Sequence, residues 1–232
     1  MNEELPFVKE MFDKIAPKYD FLNRLLSLRQ DVMWRDQMVR AAGLRPGARV
    51  LDVACGTCDV GLEAAAQLRG RADIIGLDFS LGMLRLGQKK LGPDPAISLV
   101  NGDALALPVK PGRFDAVFIA FGIRNIMNRE KAVAEFFQAL RPGGRLVVLE
   151  LTTPSKGLFR HLYLAYFQKL LPLVGSFFSK HDNAYSYLPE SVLKFPSPTA
   201  FARMMANQGF HRVRFKEMTF GIVTLFVGQK PR

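Results

Sequence analysis

Both cysteines of the 232-residue chain lie in one stretch, LDVACGTCDVG (51–61), at the spacing Cys55-Gly56-Thr57-Cys58. A CxxC pair placed where a strand gives way to a helix can carry thiol–disulfide exchange, because a helix N-terminus lowers a thiol pKa. The residue ahead of the first cysteine is Ala54 rather than an aromatic, however, and Asp52 puts a carboxylate close by. A zinc half-site would need two more ligands. There is no second CxxC, and His161, His181 and His211 are spread through the C-terminal third, so no metal is expected. A third chemistry takes the stretch whole. Asp52 closes a buried strand, Gly56 lets the backbone approach a ligand, and the helix that starts near Cys58 favours an anionic group at its N-terminus. The next apolar run ends in Asp78 and Phe79, and a carboxylate at that place can accept from both hydroxyls of a ribose. After the third run, Asp103 can accept from an adenine amino group and the backbone at Ala104 can meet the ring. Three strand ends therefore aim polar groups at one adenosine. Ala54, Gly56 and Gly61 stand where a nicotinamide site would show GxGxxG, and the combination fits S-adenosyl-L-methionine better.

Such a site needs parallel strands whose C-terminal ends lie side by side. ARVLDVA (48–54), ADIIGLD (72–78), ISLV (97–100), FDAVFIA (114–120) and RLVVLEL (145–151) read as strands, with helices over DVGLEAAAQLRG, LGMLRLGQKK and NREKAVAEFFQAL between them. RPGG (141–144) reads as the stop of the last helix. The alternation predicts a doubly wound α/β fold. HRVRFKEMTFGIVTLFVGQK (211–230) carries two alternating runs close together and predicts an antiparallel hairpin on one edge, making seven strands, mostly parallel, with helices on both faces. The chain reads as a single domain, 1–232: a helical cap over 1–45, a cofactor core over 46–153, an apolar insertion over 154–200 and a C-terminal helix and hairpin over 198–232.

A formal charge of +11 admits an acidic partner, whether nucleic acid, anionic lipid or acidic protein. The N-terminus MNEELPFVKE has neither a basic n-region nor an apolar h-region, so a cytoplasmic location is expected. GLFRHLYLAYFQKLLPLVGSFFSK (157–180) is strongly apolar but broken by Arg160, His161, Lys169 and Pro172, which argues against a membrane-spanning helix. It reads either as a core helix or as a lid lining a path for an apolar tail and touching the bilayer.

Beyond the core, FDKIAPKYDFLNRLLSLRQDVMWR (12–35), FGIRNIMNREKAVAEFFQALRPGGRLVVLELTTP (121–154) and the C-terminal stretch 185–231 are similar to the class I C-methyltransferases of menaquinone and ubiquinone biosynthesis, almost end to end. Tyr19, Asp20, Asn23, Ser27 and Trp34 make one specific pattern, and Arg124, Asn125, Gly143, Gly144, Arg145, Leu149 and Glu150 another. The resemblance implies a Rossmann-like fold, S-adenosyl-L-methionine as donor and methylation of a ring carbon on a polyprenylated quinol, with demethylmenaquinol ahead of the ubiquinone-pathway benzoquinol. It implies cofactor contacts at Thr57, Asp78, Asp103 and Ala104. Cys58 replaces a usual glycine, Ala120 stands where many members carry serine, and Arg29 and Asp31 replace a frequent glycine and histidine.

A ring hydroxyl with a pKa of ~10 is phenolate about once in a thousand at pH 7, a deficit of ~4 kcal/mol. Arg124, just past the fourth strand, is the residue expected to favour the anion. Asp31, Tyr19 and His161 are the candidates to take up the ring proton. Contact with membrane lipid and a homodimer are further expected associations. A nucleic-acid partner is not expected, since IAFGIRN stands where an amino-methylating enzyme carries an N/D-P-P-aromatic turn. The remaining alternative is a non-catalytic, cofactor-binding scaffold.

Overall fold

The computed structural model describes residues 13, 16, 20, 21, 23–92, 96–154, 160 and 184–232. Tyr19, His161 and residues 155–159 and 161–183 of the apolar insertion lie outside them. The elements run α1 (Gln30–Ala42), β1 (Ala48–Val53), α2 (Asp59–Gln67), β2 (Ala72–Asp78), α3 (Leu81–Leu91), β3 (Ile97–Asn101), β4 (Phe114–Ala120), α4 (Arg129–Ala139), β5 (Leu140–Leu151), α5 (Ala184–Leu193), α6 (Pro198–Asn207), β6 (His211–Met218) and β7 (Val223–Gln229). They build one sheet in the order β3-β2-β1-β4-β5-β7-β6. Pairings from β3 across to β5 are parallel, while β7 runs antiparallel to both β5 and β6. The C-terminal hairpin is thus present, with its second strand inserted against β5 and its first left on the edge.

The central strands are continuous apolar runs because both faces are covered. On one face Val50, Ala116, Phe118, Val147 and Leu225 pack with Trp34, Met38 and Val39 of α1 and Val60 and Ala64 of α2. On the other, Leu51, Val53, Val117, Ile119 and Val148 pack with Val133 and Phe136 of α4 and Phe201 and Met205 of α6. Helix starts follow side-chain caps: Ser80 accepts from Met83 N–H at 3.1 Å, Asn128 from Lys131 N–H at 2.9 Å and Ser197 from Ala200 N–H at 3.3 Å.

RPGG does stop α4, at Ala139, yet it belongs to β5, which starts at Leu140 rather than 145. The register against β4 jumps between Phe114 and Ala116. A Cβ on Gly144 would stand 2.9 Å from the carbonyl oxygens of Arg141 and Phe114, so the bulge requires glycine there.

α1 is tied down at both ends. Trp34 Nε1 donates to Thr219 Oγ1 at 3.0 Å, Thr219 donates to Gln30 Oε1 at 2.7 Å, and Arg145 Nη1 donates to the carbonyls of Ala41 and Ala42 at 3.2 and 3.0 Å. Its N-cap, Arg29, is left-handed at φ 63° and makes no side-chain cap bond. That conformation costs an ordinary side chain about 1–2 kcal/mol, which glycine avoids. Arg29→Gly is expected to stabilise the protein by roughly 0.5–1 kcal/mol after the larger chain entropy of glycine is subtracted. Urea unfolding monitored at Trp34 checks this; a lower midpoint for the variant would contradict it.

Candidate functional site

Past the C-terminal ends of β1, β2, β3 and β4 lies a cleft lined by Ala54 and Gly56, by Asp78 and Phe79, by Asp103, Ala104 and Leu105, and by Ala120, Phe121 and Gly122. The three segments expected from spacing therefore converge. Asn125 and Met127, from the turn that follows β4, and Met83 of α3 complete the wall.

The loop after β1 is shaped by buried carboxylates. Asp78 accepts from Gly56 N–H through Oδ2 and from Ser80 N–H through Oδ1, both at 2.8 Å. Burial pushes its pKa up, against the hydrogen bonds from Ser80, Gly56 and Phe79 that pull it down. Asp103 accepts from Leu105 N–H at 2.8 Å and so turns the chain that presents Ala104 to the cleft. Three non-glycine residues here are left-handed: Ala54 at φ 52°, Cys58 at φ 69° and Phe121 at φ 56°. Cys58 thus occupies a backbone conformation that favours glycine. Gly122 is required by contact, since a Cβ there would stand 2.7 Å from the Cβ of Ala54.

Asp52 and Thr57 do not line the cleft. Asp52 is buried beneath the loop, accepts from Gly61 N–H at 3.2 Å and so holds the first turn of α2. Burial, reinforced by Asp78 and Asp59, pushes its pKa up to about 8. The Thr57 hydroxyl donates to Asp20 Oδ1 at 2.6 Å and lies 3.3 Å from Lys90 Nζ, so a cofactor contact from it would require giving up that bond. Burial raises the Asp20 carboxyl, but the bonds from Thr57 and Lys90 outweigh it and leave the pKa lowered. Asp13 in turn accepts from Gly82 N–H at 3.1 Å and from Ser80 Oγ. The N-terminal cap thereby clasps the loops that frame the cleft, through contacts separated by 37 to 69 positions in sequence.

Two expected catalytic residues are otherwise engaged. Asp31 is buried, accepts from Ser27 Oγ at 2.8 Å and pairs with Arg35, which also reaches Asp59 at 3.0 Å. This places Asp31 in a clamp between α1 and α2 rather than in the cleft. Arg124 is 8% exposed and pairs with the fully buried Glu150 of β5 at 2.8 Å, while Glu150 Oε2 accepts from Arg124 N–H at 3.1 Å. Its guanidinium also donates to the carbonyl of Phe121. The pair fixes the turn carrying Asn125, whose Oδ1 accepts from Tyr187 at 3.2 Å. Sequence spacing did not assign a role to Asn125; its place right after β4, level with the ends of β1 and β2, was the available signal.

The CxxC is not poised for redox chemistry. Contact with the Cys58 thiol, then burial, push the Cys55 thiol well above its usual range, the reverse of what a nucleophilic thiolate needs. Among the described residues no group of three His, Cys, Asp or Glu side chains could hold a metal ion.

The family model of the ubiE/COQ5 methyltransferase family matches residues 1–230. The chain belongs to that family. It is 45% identical over 99% of its length to the ubiquinone/menaquinone biosynthesis C-methyltransferase UbiE of Geobacter sulfurreducens, covering 91% of that protein. It is 46% identical over 95% of its length to the demethylmenaquinone methyltransferase of Thermus thermophilus, all of which it covers. Among solved structures, an S-adenosylmethionine-dependent methyltransferase of Thermotoga maritima superimposes with a TM-score of 0.65 at 20% identity, over 96% of this chain and 99% of that one. Phosphoethanolamine N-methyltransferase 2 of Haemonchus contortus, solved with S-adenosyl-L-methionine, gives 0.64 at 16% identity over 85% of this chain and 52% of that one. The fold is that of the Rossmann-like methyltransferases.

Asp52 generates a pH prediction for this family member. An aspartate whose folded pKa lies above its unfolded value of about 4 favours the fold fully only below that value, and the contribution is lost as pH rises to about 8. Asp52→Asn, a neutral isostere, should remove that loss. The stability difference between variant and parent should grow in the variant's favour from pH 5 to pH 8, by at most about 1.4 kcal/mol per pH unit. Parallel pH profiles in urea unfolding would refute it.

Proposed function

We propose that this chain methylates a ring carbon of a polyprenyl quinol with S-adenosyl-L-methionine as donor, demethylmenaquinol to menaquinol in the first place. The observation that carries the reading is the convergence of Gly56, Asp78, Asp103 and Ala104 on one cleft in a chain about 45% identical to relatives bearing those names. The cleft fits the donor: Gly56 and Gly122 bring bare backbone to its lining, Asp78 has lone pairs left for ribose hydroxyls, and Asp103 and Ala104 suit an adenine. When bound, the donor supplies a methyl group already activated on a sulfonium.

The chain's own work is then to hold, orient and exclude water. Phe79, Leu105 and Met127 give the cleft apolar walls against the two rings. Arg124 acts first as a positioning residue, because Glu150 compensates its charge and the pair shapes the turn. Arg129 adds a second cation nearby, donating to the carbonyls of Ile123 and Arg124 at 3.3 and 2.8 Å. Together they favour an anionic ring oxygen at this edge of the cleft. The ubiquinone-pathway benzoquinol is the second reading, supported by the two pathways, ubiquinone and menaquinone biosynthesis, in the name of the Geobacter relative.

Peripheral contact with the bilayer fits the same substrate. Phe21, Leu25 and Leu28 are 67%, 51% and 80% exposed along the N-terminal cap, with Arg24 and Arg29 among them for anionic headgroups. No helix among the described residues is long and apolar enough to cross a membrane.

Labelled S-adenosylmethionine with short-tail demethylmenaquinol, and with the benzoquinol, tests the reaction. Transfer to the reduced ring only is expected, and no transfer to either ring with donor bound would sink the reading. Asp78→Ala should weaken donor binding by roughly 10- to 100-fold, the worth of one hydrogen bond to a charged group. Arg124→Ala alone would strand the buried Glu150 at a cost of about 3–5 kcal/mol, so the paired Arg124→Gln/Glu150→Gln variant is the informative one. Its kcat should fall at pH 7 and recover as pH approaches the ring hydroxyl's ~10, with donor KM unchanged. A pH-independent loss would leave the pair a purely structural role.

A further inference from the structure

At the other end of the sheet, where the parallel strands begin, a second pocket is lined by Arg45, Arg141, Arg145 and Arg232 around one acid, Asp115. Strand rise puts it roughly 20 Å from the cleft. Its construction traces to two similar stretches, Arg45-Pro46-Gly47-Ala48-Arg49 leading into β1 and Arg141-Pro142-Gly143-Gly144-Arg145 at the start of β5. Both bring an arginine to the mouth of the same pocket. Gly43, at φ +59°, leaves the space that the Arg145 guanidinium fills: a Cβ there would stand 2.6 Å from Nη1. That nitrogen is held by the last carbonyls of α1, so the guanidinium is fixed in place before any ligand arrives. The C-terminal residues are zipped along the bulge, Gly143 N–H donating to the carbonyls of Lys230 and Pro231 at 3.0 and 3.2 Å and Lys230 N–H to that of Gly144 at 2.9 Å, which carries Arg232 over the pocket.

The acid is fully used. Asp115 accepts from Arg49 N–H at 2.8 Å through Oδ2 and from Arg141 Nε at 2.7 Å through Oδ1. Arg45 and Arg232 are exposed and meet no carboxylate among the described residues. Four guanidiniums against one carboxylate, one of them locked by a helix C-terminus, make a concave site for a compact multivalent anion. Guanidinium forks match phosphate oxygens in pairs.

We propose that this pocket binds a di- or oligophosphate group, free or borne on a lipid headgroup, independently of the methyl-transfer cleft. Sodium tripolyphosphate is the probe, titrated calorimetrically into the full chain at 150 mM salt, with sulfate as the monomeric comparison. Saturable binding of one tripolyphosphate, tighter than sulfate, is expected, and Arg45→Ala/Arg232→Ala should weaken it at least tenfold with an unchanged urea midpoint. Arg85→Ala, removing an exposed cation on α3, should leave it unaltered. Vesicles containing a diphosphate-headed anionic lipid locate the source: binding lost in the double variant and displaced by tripolyphosphate assigns a headgroup, while equal flotation of parent and double variant assigns a free oligophosphate. No binding of tripolyphosphate, or equal binding by the double variant, would overturn the proposal. None of these outcomes depends on methyl transfer, so the failure of either reading leaves the other standing.

Discussion

Everything at the cleft depends on the loop from Ala54 to Cys58 being held in a shape its side chains resist. Two of its residues are left-handed without being glycine, and each such residue costs on the order of 1–2 kcal/mol. Carboxylates, two of them buried, offset that cost. Asp52 takes the N–H of Gly61 from below, Asp78 takes the N–H of Gly56 from the neighbouring strand, and Asp20 takes the Thr57 hydroxyl from above. Because β1 and β2 are in parallel register with Val53 beside Leu77, the two strand-end acids necessarily flank the same turn. The loop is therefore set by the sheet and not by its own composition.

This arrangement has an electrostatic consequence. Burial drives the pKa values of both Asp52 and Asp78 up, and repulsion from neighbouring carboxylates adds to it, from Asp78 at Asp52 and from Asp13 at Asp78. A cation placed in the cleft relieves that repulsion. A sulfonium is such a cation, and the acids that shape the loop thereby add a long-range preference for a positively charged ligand to the direct contacts of the cleft.

The parts of this structure visible in sequence are those governed by local pattern. Runs such as RVLDVA, DIIGLD and DAVFIA are mostly apolar because both faces of the sheet are covered, and the alternation in HRVRFKEM and GIVTLFVG marks strands at and near an open edge. The acids at 52, 78 and 103 were legible because each ends such a run. What was hidden depends on the third dimension. Glu150 captures Arg124 from 26 positions away because β4 and β5 are neighbours, and Asp31 meets Arg35 and Asp59 because α1 lies across α2. The early start of β5 at Leu140 follows from a bulge that only the β4 backbone and the C-terminal residues define. The left-handed Ala54, Cys58 and Arg29 carry no local mark, since none is a glycine.

Charge is also distributed along the sheet with a sign. The cleft end gathers Asp13, Asp20, Asp52, Asp59, Asp78 and Asp103, most of them buried or bonded to backbone N–H groups. The opposite end carries Arg45, Arg141, Arg145 and Arg232 around a single carboxylate. In a parallel sheet flanked by helices, the N-termini of α2 and α3 point to the first end and helix C-termini to the second. Acids at the former and arginines at the latter both run with the helix dipoles. The net charge of +11 is therefore not a uniform coat. A cationic ligand is drawn toward the acids and a multivalent anion toward the arginines, and about 20 Å of apolar sheet keeps the two from neutralising each other.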